Sequence, residues 1–157
     1  MTRPNEASGV PASPDTAPGP GPGSGPFQSG TSSATRVLVV DADRALLGLL
    51  QEWLDAQGCT VVSEQSAGAD SNQPTEPTEQ FALAIVDVPF PRTGGSDQVQ
   101  RVAAKHPGTP ILALSCCFFA SIECQGAVAR ALGAACVLPQ PASREALTNA
   151  VRQLLSR

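Results

Sequence analysis

The sequence predicts an α/β fold, a doubly wound parallel sheet of five strands preceded by a tail of different character, and three observations carry that prediction. Three apolar runs end abruptly in one polar residue: residues 37–40 run into Asp41, 83–86 into Asp87, and 111–114 into Ser115. Near-continuous apolar runs mark strands buried on both faces of a parallel sheet, and ligands of such sheets gather beyond the carboxyl ends of the strands, where Asp41, Asp87 and Ser115 would meet. Between the runs lie segments whose apolar residues recur at helical spacing, so strand and helix alternate. Finally, residues 1–35 lack either periodicity, which leaves 36–157 as one domain-sized unit with one core.

Residues 36–40 are a β-branched run, the first strand, and Asp43 offers an N-cap to a helix carrying Leu46, Leu47, Leu50, Trp53 and Leu54, which Gly58 ends. Residues 59–62 make the second strand. A whole helix separates it from the first, so the two should lie parallel through a right-handed crossover. The rhythm asks for a second helix over 65–80, but Gly68, Pro74 and Pro77 would break it, leaving it short, irregular or absent. Residues 81–86 form the third strand, and Pro89, Pro91, Gly94 and Gly95 after Asp87 make a tight loop. Ser96 is expected to cap the next helix, which carries Val99, Val102 and Ala103 until Pro107 and Gly108 stop it. Residues 111–114 are the fourth strand, followed by a helix with Ala127, Val128, Ala131 and Leu132 that runs to Gly133, a C′ residue. Residues 135–138 form the fifth strand, and Ser143 caps a last helix with Leu147, Val151, Leu154 and Leu155 on one face. This alternation, without internal repeats, fits the flavodoxin-like strand order 2-1-3-4-5.

In the tail, Pro4, Pro11, Pro14, Pro18, Pro20, Pro22 and Pro26 alternate with Gly, Ser and Thr, and Phe27 is the one large aromatic. Such a stretch cannot bury enough apolar surface to offset its ordering entropy, so residues 1–35 read as a disordered tail or tether. No basic start leads into an apolar signal region, and no apolar run approaches the roughly 18 residues a bilayer requires. A cytoplasmic protein with no membrane partner is expected. The net charge of −4 and pI near 4.8, with scattered arginines, exclude nucleic acid as a direct partner. Five cysteines, an odd number without an export signal, suggest free thiols in a reducing compartment. Cys59 and Cys136 read as core residues, and Cys116-Cys117 beside Ser115 as a weaker candidate for redox sensing. His106 is the sole histidine and no C-x-x-C pair occurs, so zinc is disfavoured.

Together, residues 36–41, Ile85-Val86-Asp87 with Pro91 and Gly95 beyond, Leu114-Ser115, and Leu132-Gly133-Ala134 leading to Leu138-Pro139-Gln140-Pro141 resemble one family. This is the receiver (response regulatory) domain of two-component response regulators, with its CheY-like fold, and the resemblance covers essentially all of residues 36–157. It implies a phosphorelay signalling module rather than an enzyme. Asp87 matches the phosphoacceptor, which takes a phosphoryl group from a histidine kinase or phosphotransfer protein, and Ser115 matches the switch hydroxyl. Asp41, Asp87 and the backbone carbonyl of Pro89 match Mg²⁺ ligands, and Gln140-Pro141 matches a bond often cis in the family. A downstream protein would dock on the fourth helix, fifth strand and fifth helix, counting the expected helix over 65–80 as the second.

Three departures mark a degenerate, pseudo-receiver-like variant. Ala42 stands where the family has a second metal-binding acid, so a Mg²⁺ site would be weak or absent. Gln140 stands at the position of the family lysine and brings no positive charge to a transferring phosphoryl group. Val137 replaces an aromatic whose rotamer often reports the switch. Asp43 is better explained as a helix cap than as a replacement ligand. Phosphotransfer to Asp87 is therefore expected to be impaired, and a phosphorylation-independent interaction module is the alternative. A haloacid-dehalogenase-like phosphohydrolase is suggested by Asp41-Ala42-Asp43, but Lys105 is the only lysine and no late acidic pair exists. A flavodoxin would need a Ser/Thr/Gly phosphate loop where Asp41-Ala42-Asp43-Arg44 stands. Fold alone does not choose among these.

Overall fold

A computed structural model of the chain describes residues 34–64 and 80–157. The tail read over residues 1–35 lies outside it except for Ala34 and Thr35, and the helix anticipated over 65–80 lies outside it except for Gln80. The described elements run β1 (Thr35–Val40), α1 (Arg44–Asp55), β2 (Cys59–Glu64), β3 (Leu83–Asp87), α2 (Gly95–Lys105), β4 (Ile111–Ser115), α3 (Ala127–Leu132), β5 (Cys136–Pro139) and α4 (Arg144–Leu155). All strand pairs are parallel, and the sheet order is β2-β1-β3-β4-β5. This is the expected flavodoxin-like order.

Alternation along the strands sorts the core into two layers. Val37, Val39, Leu83, Ile85, Leu112, Leu114 and Cys136 join Leu50 and Leu54 of α1 and Leu147, Val151 and Leu154 of α4. On the opposite face, Leu38, Val40, Ala84, Val86, Ala113 and Val137 join Val99 and Val102 of α2 and Ala129 and Leu132 of α3. Burial of each large aliphatic side chain here is worth roughly 1.5–3 kcal/mol. The register pairs Val40 with Val86, Asp87 with Leu114 and Ser115 with Pro139, which brings the polar strand ends to one edge of the sheet.

The caps explain where the helices begin. Asp43 accepts from the Leu46 N–H at 2.7 Å, and Ser143 accepts from the Ala146 N–H at 3.1 Å, as their positions before apolar periodic runs suggested. Ser96 does not cap α2. The helix starts two residues earlier than a Ser96 cap implies, at Gly95, behind a left-handed Gly94 (φ 84°) that offers no side-chain cap. A Cβ on Gly95 would lie 2.9 Å from Val88 Cγ1, so glycine is what lets the helix begin this close to β3.

Phe81 is a further correction, because β3 starts only at Leu83. Phe81 instead packs edge-on against His106, ring centroids 5.2 Å apart, beneath the Arg36 guanidinium. The free-thiol expectation is also overturned for two of the five cysteines: Cys124 and Cys136 are joined in a disulfide, leaving Cys59, Cys116 and Cys117 free. The first residue of β5 lies against the segment before α3, where the Val137 N–H donates to the Cys124 carbonyl at 2.8 Å. A spacing of 12 residues does not announce that proximity. Cys136 is fully buried, as its apolar context suggested.

Candidate functional site

Two acids close the first and third strands. Asp41 leaves β1 in the left-handed region at φ 59°, a conformation that Asp tolerates better than most residues, with its N–H donating to the Glu64 carbonyl at 2.9 Å. Ala42, next to it, is buried, and Asp43 is spent on the α1 cap. Asp87 ends β3 half-buried, and the Val88 N–H after it donates to the Leu114 carbonyl at 2.8 Å, fixing the strand end.

Two carboxamides complete the cluster. Gln140 Nε2 donates to Asp87 Oδ1 at 3.1 Å, and the Gln140 N–H donates to the Ser115 carbonyl at 2.9 Å, which anchors the loop after β5 to the end of β4. The Gln140-Pro141 bond is cis, as the family pattern suggested. From α2, Gln98 Nε2 donates both to Asp41 Oδ2 at 2.8 Å and to the Asp87 main-chain carbonyl at 2.9 Å. Gln98 was not legible in the sequence. The helical period there singles out the buried Val99, and nothing separates Gln98 from the exposed Gln100 two residues on.

Ser115 is fully buried, and its Oγ accepts from the Cys117 N–H at 3.1 Å. The Cys117 thiol in turn donates to the Pro89 carbonyl at 3.4 Å. Asp41, Asp87 and Gln140 are thus brought together through hydrogen bonds, while Ser115 is joined to them by the backbone of β4 and the Gln140 loop. Val137 is fully buried within the second core layer. Beside the site, a cavity of about 580 Å³ opens between the β3–α2 loop and α3, lined by Phe90, Phe119, Ile122 and Val128 among others.

Burial pushes the Asp87 carboxyl above its ordinary range; the Gln140 hydrogen bond pulls it down, and the nearby charges of Asp43 and Asp41 push it up again. The residues fit a divalent cation poorly. Ala42 offers no donor, and Asp41 Oδ2 already accepts from an amide. The Pro89 carbonyl is taken by a thiol, and no cluster of three or more His, Cys, Asp or Glu that could hold a metal ion occurs among the described residues. Among those residues, no helix is long and apolar enough to cross a membrane.

The family model for the response regulator receiver domain matches residues 37–152. The chain belongs to that family. The transcriptional regulatory protein CpxR of Klebsiella pneumoniae is 29% identical over 123 residues, covering 78% of this chain and 50% of that protein. CpxR of Escherichia coli strain K12 is 28% identical with the same coverage, so the chain spans about half the length of the curated relatives it matches. A response regulator from Thermotoga maritima superposes with a TM-score of 0.63 at 21% identity, covering 79% of this chain and 99% of that one. A response regulator from Burkholderia pseudomallei, solved with a phosphorylated aspartic acid, calcium ion and citrate, superposes with a TM-score of 0.54 at 25% identity. That match covers 78% of this chain and 69% of the other.

Proposed function

We propose that this receiver domain signals by docking to a partner protein and that Asp87 accepts a phosphoryl group only slowly. The observation that carries the reading is the Gln140 amide on Asp87 Oδ1: the acceptor's side-chain contact is a neutral dipole where the family places a lysine. In the transfer, an Asp87 oxygen attacks phosphorus, the bond from phosphorus to the donor's imidazole nitrogen breaks, and an acyl phosphate forms while the freed imidazole takes up a proton. Positioning and fixed charge supply nearly all of the catalysis of such a step. Gln140 supplies positioning and little charge. The structurally similar response regulator from Burkholderia pseudomallei carries a phosphorylated aspartic acid, which supports an aspartate as the acceptor in a protein of this kind.

Ser115 is the switch hydroxyl in this reading. Turning Oγ toward a phosphoryl oxygen would give up its 3.1 Å contact with the Cys117 N–H and so loosen the start of the segment leading to α3. The docking face is then α3, β5 and α4, which correspond to the fourth helix, fifth strand and fifth helix of the sequence reading. In the cytoplasm, the location this reading gives the chain, its partners are a histidine kinase or phosphotransfer protein and a downstream protein, with constitutive, phosphorylation-independent docking as the second reading. Mg²⁺ is held weakly or not at all, since the donor set is incomplete.

The test is incubation with acetyl phosphate, with and without Mg²⁺, followed by intact mass, on the chain and on Asp87→Asn. Little adduct is expected on the chain and none on Asp87→Asn. Rapid, Mg²⁺-dependent labelling of the unmodified chain at Asp87 would overturn the proposal.

A further inference from the structure

Gln98 reaches the site from α2, and its amide nitrogen carries two hydrogens. Both have an acceptor: Asp41 Oδ2 at 2.8 Å and the Asp87 main-chain carbonyl at 2.9 Å. One neutral group thereby ties the end of β1 to the end of β3. We propose that the Gln98 carboxamide takes the place of a divalent cation in this pocket, bridging the two strand ends and keeping a metal ion out.

The spacing supports this. Mg²⁺ draws its oxygen ligands to about 2.0–2.1 Å and Ca²⁺ to about 2.3–2.6 Å, whereas these two oxygens are held at hydrogen-bond length from a nitrogen. A cation would have to expel the amide, at the loss of both hydrogen bonds, and would meet the Asp41 and Asp87 carboxylates without the further acid that an Ala42 site lacks. The fold supplies the reach. Gly95 sets the first turn of α2 directly against Val88, and any Cβ there would meet Val88 Cγ1 at 2.9 Å. Gln98, one turn along, therefore arrives between Asp41 and the β3 end with its amide inside the cluster. Gln98 is a positioning residue in this scheme, acting on Asp87 through the strand end that carries it.

The inference rests on reading this pocket as the receiver site, but its test does not involve phosphorylation. Mn²⁺ is the probe, titrated by calorimetry and followed by its effect on Tm. The unmodified chain should bind Mn²⁺ weakly and show no Mn²⁺-dependent rise in Tm. Gln98→Ala should bind about tenfold more tightly, the scale on which outer ligand-sphere changes tune metal sites, and the gain should vanish in the double variant with Asp41→Asn. Should Gln98→Ala fail to fold, Gln98→Asn keeps an amide but withdraws it by one methylene from the two strand ends. Its Mn²⁺ affinity should exceed that of the unmodified chain and its Tm should rise with added Mn²⁺, with no new acidic ligand introduced. Equal Mn²⁺ affinity in the unmodified chain and in whichever of Gln98→Ala and Gln98→Asn folds would overturn the inference. Fast acetyl phosphate labelling alongside the expected Mn²⁺ results would reject slow phosphotransfer and leave the Gln98 bridge standing.

Discussion

Replacing Gln140 by Lys restores the charge that the pocket lacks, and its effect can be worked from one distance. Gln140 Nε2 lies 3.1 Å from Asp87 Oδ1, and lysine, one bond longer, can bring its ammonium to the same carboxylate. At that separation a unit charge pair is worth about 1.3 kcal/mol in a water-like medium and about 5 kcal/mol at an effective dielectric of 20. Asp87 is only half-buried, which places the gain toward the smaller figure after solvent screening. If the transition state feels that attraction beyond the ground state, the acetyl phosphate reaction should run about 10- to 100-fold faster. Intact mass against time gives the rate, and Asp87→Asn in the same background shows that the adduct sits at Asp87. An unchanged rate in Gln140→Lys, with Asp87 still the labelled residue, would show that charge at this position does not limit the transfer.

Other expectations follow from the same contacts. Burial holds the Asp87 carboxyl above 3.8, so the native state keeps this proton more tightly than the unfolded chain does; the stability it contributes is full below about pH 3.8 and is lost as pH rises through the folded pKa. Asp87→Asn should therefore raise Tm at neutral pH, by about 2–4 °C per kcal/mol relieved, and the difference should disappear below that window; a difference independent of pH would contradict this. Asp43→Ala removes the acceptor 2.7 Å from the Leu46 N–H and should cost about 1 kcal/mol in urea denaturation, whereas Asp43→Asn should be nearly neutral. Equal losses in both would show that Asp43 acts by charge rather than by capping. Leu147 is fully buried between α4 and the sheet, so Leu147→Ala should lower the unfolding free energy by about 2–5 kcal/mol with little change in the urea slope.

The fold was legible because its signals are local. Runs such as 111–114 are apolar at every position since both faces of β4 are covered, and Asp43 and Ser143 sit just before apolar periodic segments, where only a capped helix start makes sense of them. The start of α2 was misread because the deciding contact, Gly95 against Val88, involves backbone proximity and no side-chain signature. Phe81 looked like strand by composition but packs edge-on against His106 ahead of β3.

The sequence by itself determined the alternation of strand and helix, the family, and which polar residues end the strands, because each follows from hydrophobic period, caps and short motifs along the chain; the strand order it suggested is fixed by pairing in the sheet. Only the tertiary structure decided what those strand ends meet. Gln98 approaches Asp41 across 57 residues, Gln140 approaches Asp87 across 53, and Cys136 pairs with Cys124 between two neighbouring elements. Such contacts depend on the packing of one element against another, and a side-chain amide in an amphipathic helix carries no local mark of the carboxylate it will face.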